Sequence, residues 1–128
     1  MQIHQSAEDY LETILMLNQR MGRVRSIDVV NELGYTKASV SIAMKKLREN
    51  GYIAVDGEGN LTLLEPGREI AERIYSRHRL LTHFFVQLGV DEQTAAEDAC
   101  KAEHILSEQT LEKIREYALL HDAQDSVK

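Results

Sequence analysis

The sequence predicts a mainly α-helical fold with one small β-hairpin. Three observations carry that expectation. Apolar residues recur at helical spacing along most of the 128 residues. The departure is two short β-prone runs, residues 52–55 (YIAV) and 61–64 (LTLL), separated by the turn-forming DGEGN. Glycines also fall where the helical stretches should stop, at Gly22, Gly34, Gly51 and Gly89.

Taken in order, residues 6–21 open on Ser6 and Asp9, a cap-like start with acid in the first turn. They continue with the apolar stripe Tyr10, Leu11, Ile14, Leu15 and Leu17. Ser26 starts a short second helix through Ile27, Val29, Val30 and Leu33, and Gly34 closes it. Thr36 caps a third helix over 37–50, with Ala38, Val40, Ile42, Ala43, Met44 and Leu47 as its apolar members. After the hairpin, Pro66 opens a long helix over about 66–88, with Ile70, Ala71, Ile74, Leu81, Phe84, Phe85 and Leu88 on its apolar side. Residues 91–105 and 107–120 read as two further helices, the second capped by Ser107, and the polar stretch from Asp122 as a frayed tail. The expected domains are 1–64 and 65–128.

Composition narrows the function. The 15 basic and 21 acidic side chains give a net charge of −6, which excludes a uniformly basic coat for nucleic acid. A single cysteine excludes an internal disulfide framework and suits a reducing compartment. No apolar run approaches the roughly 20 residues needed to span a bilayer, and the N-terminus is not built as a signal peptide. A cytoplasmic protein with no membrane partner is expected.

The charge is unevenly placed. Residues 20–48 hold seven basic side chains against Asp28 and Glu32, a local net of +5 that leaves −11 for the remainder. The order short helix, tight turn, helix, hairpin is that of a winged helix-turn-helix. Such a unit needs a small core, which Val29, Val30, Leu33, Val40 and Leu47 supply, and small polar residues where the second helix meets base edges. Thr36, Lys37, Ala38, Ser39 and Ser41 meet that need, with Arg25, Ser26, Lys45 and Lys46 placed for the backbone. The hairpin tip is acidic (Asp56, Glu58), so the wing is not expected to seek phosphates. A basic helix alone is most often a solvated face; the order of elements around it favours DNA.

A second constellation has ligand chemistry. Asp9 and Glu12 share a face of the first helix, and His78 lies in the long helix. The segment DACKAEHILS places Cys100, Glu103 and His104 at i, i+3 and i+4. Carboxylate, imidazole and thiolate together suit a divalent transition metal. Singly, each has an ordinary structural role: carboxylates against a helix dipole, a small buried thiol, a surface imidazole. His4, His83 and His121 are read as non-ligands.

The chain resembles the metal-dependent repressors of the diphtheria toxin repressor and manganese transport regulator family. The resemblance lies in SAEDYLETI, KASVSIAMKKLRENGYI, LTLLEPGREIAERIYSRHRLL and GVDEQTAAEDACKAEHILS, and covers residues 6 to about 120. It implies an N-terminal winged helix-turn-helix plus a C-terminal helical dimerisation region, with metal bound between them and two recognition helices meeting a palindromic operator. By position, Asp9, Glu12, His78, Glu103 and His104 match ligands of the manganese-type members. Cys100 instead matches the thiol of the iron-type members, which carry Met where this chain has Asp9. Thr82 and Ala96 stand where iron-type members place an ancillary Glu and His. No appended SH3-like domain is expected.

The resemblance thus implies a metal-activated, homodimeric DNA-binding repressor of iron or manganese uptake genes. The thiol makes Fe²⁺ the favoured ion and Mn²⁺ the second, with Zn²⁺ and Co²⁺ also fitting, and no organic cofactor is expected. The alternative is a winged-helix regulator whose DNA binding does not depend on metal. Catalysis is not expected, because the sequence has no HExxH, no Gly-rich phosphate loop and no nucleophile elbow. Apolar residues Ile105, Leu106, Leu111, Ile114, Tyr117, Leu119 and Leu120 exceed what one small domain needs, which fits a homodimer.

Overall fold

A computed structural model of the chain describes residues 5–127, with side chains over 6–122. Its elements run α1 (Gln5–Met21), α2 (Ser26–Leu33), α3 (Lys37–Glu49), β1 (Ile53–Val55), β2 (Leu61–Leu63), α4 (Glu65–Gln87), α5 (Glu92–Ala102) and α6 (Glu108–Val127). The chain divides into two compact units, one running through Arg73 and the other starting at Ile74, with α4 belonging to both.

The first unit is held by an apolar core drawn from every element it contains. Leu11 and Ile14 of α1, Val24, Val29 of α2, Val40, Met44 and Leu47 of α3, and Ile53, Leu61 and Leu63 of the hairpin are all buried. Val30 and Leu33, expected in the same core, are half-buried. Ser6 lies inside α1 rather than capping it, because the helix is already formed at Gln5. Gly34 ends α2 in the left-handed region at φ +72°, which an L side chain resists. The Thr36 hydroxyl accepts from Ser39 N–H at 3.1 Å and donates to the Ser39 hydroxyl at 2.9 Å, fixing where α3 begins. Thr36→Ala is expected to cost about 1 kcal/mol, read as a lower urea midpoint with unchanged slope; an unmoved midpoint would show the cap to be dispensable.

The hairpin pairs Ile53 with Leu63 and Val55 with Leu61 in antiparallel register. Its outer edge is covered by the segment before α2: Leu61 N–H donates to Val24 O at 2.7 Å, and Arg25 bridges to Asn60. The turn is organised by Asp56, whose carboxylate accepts from the backbone N–H of Asn60 and of Glu58, each at 2.9 Å, and from the Asn60 side chain. The Asn60 bonds are the main reason its carboxyl sits below the usual carboxylate range.

The second unit packs the later part of α4 against α5 and α6. Leu81, Ala99 and Leu111 form its buried centre, flanked by Leu80, Phe85, Ala102, Leu106 and Ile114. Asp91 caps α5, accepting from Thr94 N–H and hydroxyl; the hydroxyl bond chiefly lowers its pKa. Ser107 caps α6 through Thr110 N–H at 3.1 Å.

Three expectations are corrected here. α5 stops at Ala102 rather than 105, and residues 103–105 form a turn in which Ile105 N–H donates to Ala102 O. α6 continues to Val127, past the expected end at 120: the stretch after Ser107 has no Gly or Pro to stop a helix. Asp122 also ties that stretch to α4, accepting from Gln87 at 2.8 Å and facing His83 at 2.9 Å. Finally, Ile42 and Leu88, assigned to apolar faces, are exposed, whereas Leu111 is buried in the unit's own core. Ile105, Leu119 and Leu120 are exposed apolar surface of this region, as is Tyr117, whose ring meets Phe84 edge-on at 5.9 Å. Among the described residues, no helix is long and apolar enough to cross a membrane.

Candidate metal centre and nucleic-acid interface

In the second unit, the side chain of Glu103 is fully buried. It sits just past the end of α5 in helical backbone geometry (φ −61°, ψ −22°), its N–H bonded to Ala99 O at 2.9 Å. Two imidazoles flank its carboxylate. His78 Nδ1 of α4 lies 2.9 Å from Oε2, and His104 Nε2 lies 3.4 Å from Oε1. The second distance is ion-pair range without hydrogen-bond geometry, so Oε1 accepts no hydrogen bond among the described residues.

A carboxylate removed from water in this way is costly unless a cation or good donors compensate it. Histidine supplies donors but carries charge only when protonated, whereas carboxylate and imidazole are both ordinary ligands for a divalent transition metal. The donor set fits such an ion. Arg77, which in the sequence is only a neighbour of His78, buttresses this arrangement. It donates to the Glu103 carbonyl at 3.3 Å and pairs with Glu108 at the start of α6. It thereby fixes the turn that carries Glu103 and His104. Only its position next to His78 hinted at this.

The structure therefore brings together His78, Glu103 and His104, on two elements of one unit. Cys100, one turn earlier on α5, is exposed where Glu103 is buried. Thr82 turns its hydroxyl back to the His78 carbonyl at 2.8 Å. In the first unit, Asp9 is half-buried and Glu12 buried on α1. Tyr10 between them is buried and meets Tyr35 of the α2–α3 turn edge-on at 5.9 Å.

The residues expected to meet nucleic acid also lie in the first unit. Lys37, Ala38, Ser39, Ser41, Lys45 and Lys46 are all exposed on α3, and Thr36 is exposed at its cap. The buried side of the same helix is Val40, Met44 and Leu47, so the polar and basic residues point away from the core. Ser39 accepts from Thr36 and keeps its own hydroxyl hydrogen to donate. Arg25 is exposed, but its guanidinium is engaged by the Glu58 carbonyl in the hairpin turn and its N–H by Asp28 at 2.8 Å. Ser26 is half-buried. Arg23 and Glu58 face each other at 3.9 Å, an exposed pair of little energetic weight.

Comparison with known proteins gives a consistent picture. Residues 2–61 match the model of the iron dependent repressor N-terminal DNA binding domain, and residues 64–120 that of the iron dependent repressor metal binding and dimerisation domain. An HTH-type transcriptional regulator of Methanocaldococcus jannaschii is 37% identical over 113 residues, covering 87% of this chain and 90% of the relative. The HTH-type transcriptional regulator MntR of Bacillus subtilis is 32% identical over 123 residues, covering 96% and 87%. A solved manganese-dependent transcriptional repressor in complex with manganese superposes with a TM-score of 0.80 at 28% identity, over 88% of this chain and 52% of the other. The chain thus spans most of the length of those relatives and about half that of the solved repressor. With both family models matched in order and the relatives matched along most of their length, the chain belongs to the iron-dependent repressor family of metal-dependent, DNA-binding transcriptional regulators.

Proposed function

We propose that the protein is a cytoplasmic, metal-activated transcriptional repressor of iron or manganese uptake genes, acting as a homodimer on a palindromic operator. The observation that carries this reading is the buried Glu103 carboxylate between two imidazoles, with one oxygen accepting no hydrogen bond. The proposed ligands are Asp9, Glu12, His78, Cys100, Glu103 and His104, which keeps the family assignment residue by residue. Cys100 is included for its thiol, which favours Fe²⁺, Co²⁺ and Zn²⁺ over Mn²⁺. Fe²⁺ is the proposed activator and Mn²⁺ the second, and no catalytic role is assigned to the chain.

A bound divalent cation supplies the positive charge that the buried carboxylate lacks. Everything else is done by the chain. His78 and His104 would offer ring nitrogens to such an ion, Arg77 holds the turn that positions Glu103, and α1 carries Asp9 and Glu12 in the unit that also carries α3. Differential affinity of the ion for the DNA-competent arrangement shifts the population toward it. On the DNA side, Lys37, Lys45 and Lys46 pair with phosphates, while Thr36, Ala38, Ser39 and Ser41 approach base edges. Arg25 and Ser26 contact the backbone beside the wing. The functional boundary is placed between residues 64 and 65, at the start of α4.

The test is an anaerobic DNA-binding titration across Fe²⁺, Mn²⁺, Co²⁺ and Zn²⁺, with metal content measured on the same samples. Binding is expected on adding Fe²⁺ or Mn²⁺ and is expected to vanish with EDTA. Binding indifferent to chelation would overturn the metal switch and favour the metal-independent regulator.

A further inference from the structure

Ile42 is the one large apolar side chain of α3 that faces solvent, at 58% exposure. The core side of α3 is defined by Val40, Met44 and Leu47, and two residues along a helix turn the side chain about 200° away from Val40. Ile42 is therefore set opposite the core. Its neighbours one turn away are Ala38 and Ser39 on one side and Lys45 and Lys46 on the other, all exposed. An isoleucine in that place does nothing for folding: it buries little and, being β-branched, is a poorer helix former than alanine. The surrounding lysines leave an acidic polymer as the complementary surface. In the major groove of DNA the apolar feature at that depth is the thymine 5-methyl group.

We propose that Ile42 is a specificity-determining residue that reads thymine, packing its side chain on a thymine 5-methyl in each half-site of the operator. This rests on the DNA-binding reading given above. Ala38, one turn earlier on the same exposed strip, extends the apolar contact toward the start of the helix.

The experiment uses the full chain loaded with Fe²⁺ or Mn²⁺. Duplexes are selected from a random-sequence pool by wild type and by Ile42→Ala, a change that leaves the core untouched. Each thymine of the wild-type consensus is then replaced singly by deoxyuridine, which removes only the methyl. One thymine per half-site should lose about fourfold on replacement in wild type, the free energy of burying one methyl, and nothing in Ile42→Ala. Deoxyuridine neutral at every position, or a variant that selects the same consensus with the same affinity, would overturn the assignment. A variant that keeps its base preference but loses self-association would overturn it in favour of a protein contact. Failure of wild type to select any sequence with any metal would instead remove the DNA-binding reading itself.

Discussion

Glu103→Gln is expected to abolish the response to metal while leaving the metal-free protein as stable as wild type or more so. Gln keeps the volume and an oxygen for His78, so packing in the turn survives. What it removes is a buried charge, and removing such a charge is often neutral or stabilising when no strong partner is lost. The carboxylate's negative charge is also what attracts a cation. Wild type at a metal concentration 100 times its Kd should gain about 2.7 kcal/mol of stability by linkage, and the variant very little of it. The metal-induced gain in DNA affinity should fall toward nothing from the 5- to 150-fold, roughly, that such couplings span. The two shifts are read by thermal melts with and without Mn²⁺ or Fe²⁺, and by gel shift on one operator. A variant that melts like wild type and gains the same stability from metal would remove Glu103 from the centre. The crossed outcome matters: a merely structural Glu103 would lower the metal-free melting temperature and spare the difference.

Much of this arrangement was legible in the residues, and what was not has identifiable causes. Turn glycines, the Thr36 and Ser107 caps and the DGEGN turn act locally, so their structural consequences are local as well, and the helix-turn-helix and hairpin followed directly. Periodicity places a residue on a face but does not reveal whether that face is covered. Ile42 fits an apolar stripe as well as Met44 does, yet one faces water and the other the core. The same limit applies to Cys100 and Glu103. Their spacing sets them one helical turn apart but does not reveal that Glu103, at the turn after α5, is fully buried while Cys100 is exposed. That turn depends on Arg77, 26 residues away, a pairing with no local signature. Leu111 and Tyr117 look alike as candidates for an interface; contact with Leu81 and Ala99 takes the first into the core and leaves the second exposed.

Gly67→Ala is expected to be the most destabilising single-methyl change in the first unit. In isolation the substitution should help: Gly67 lies in the first turn of α4, and replacing glycine by alanine in a helix gains up to about 1 kcal/mol. Tertiary structure reverses the sign. A Cβ at this position would lie 2.2 Å from the Tyr52 carbonyl oxygen, 3.0 Å from its carbon and 3.3 Å from a methyl of Leu11. The first two are backbone atoms that cannot rotate away. They are also fixed in place, because Tyr52 N–H donates to Leu47 O and Tyr52 O accepts from Leu64 N–H, each at 3.0 Å. Relief requires moving α4 off the end of α3 and the start of β1, with Leu11 buried beneath it. Overpacking of this kind costs roughly 1–3 kcal/mol, and the upper end applies where backbone must shift. At about 4–8 °C per kcal/mol for a unit of this size, the melting temperature should fall by about 12–24 °C. The same displacement would carry the hairpin and α3 with it, so DNA affinity should fall even at saturating metal. A variant melting at or above wild type would mean that α4 is free to slide over Tyr52, and that the hairpin's position does not depend on the close approach at Gly67.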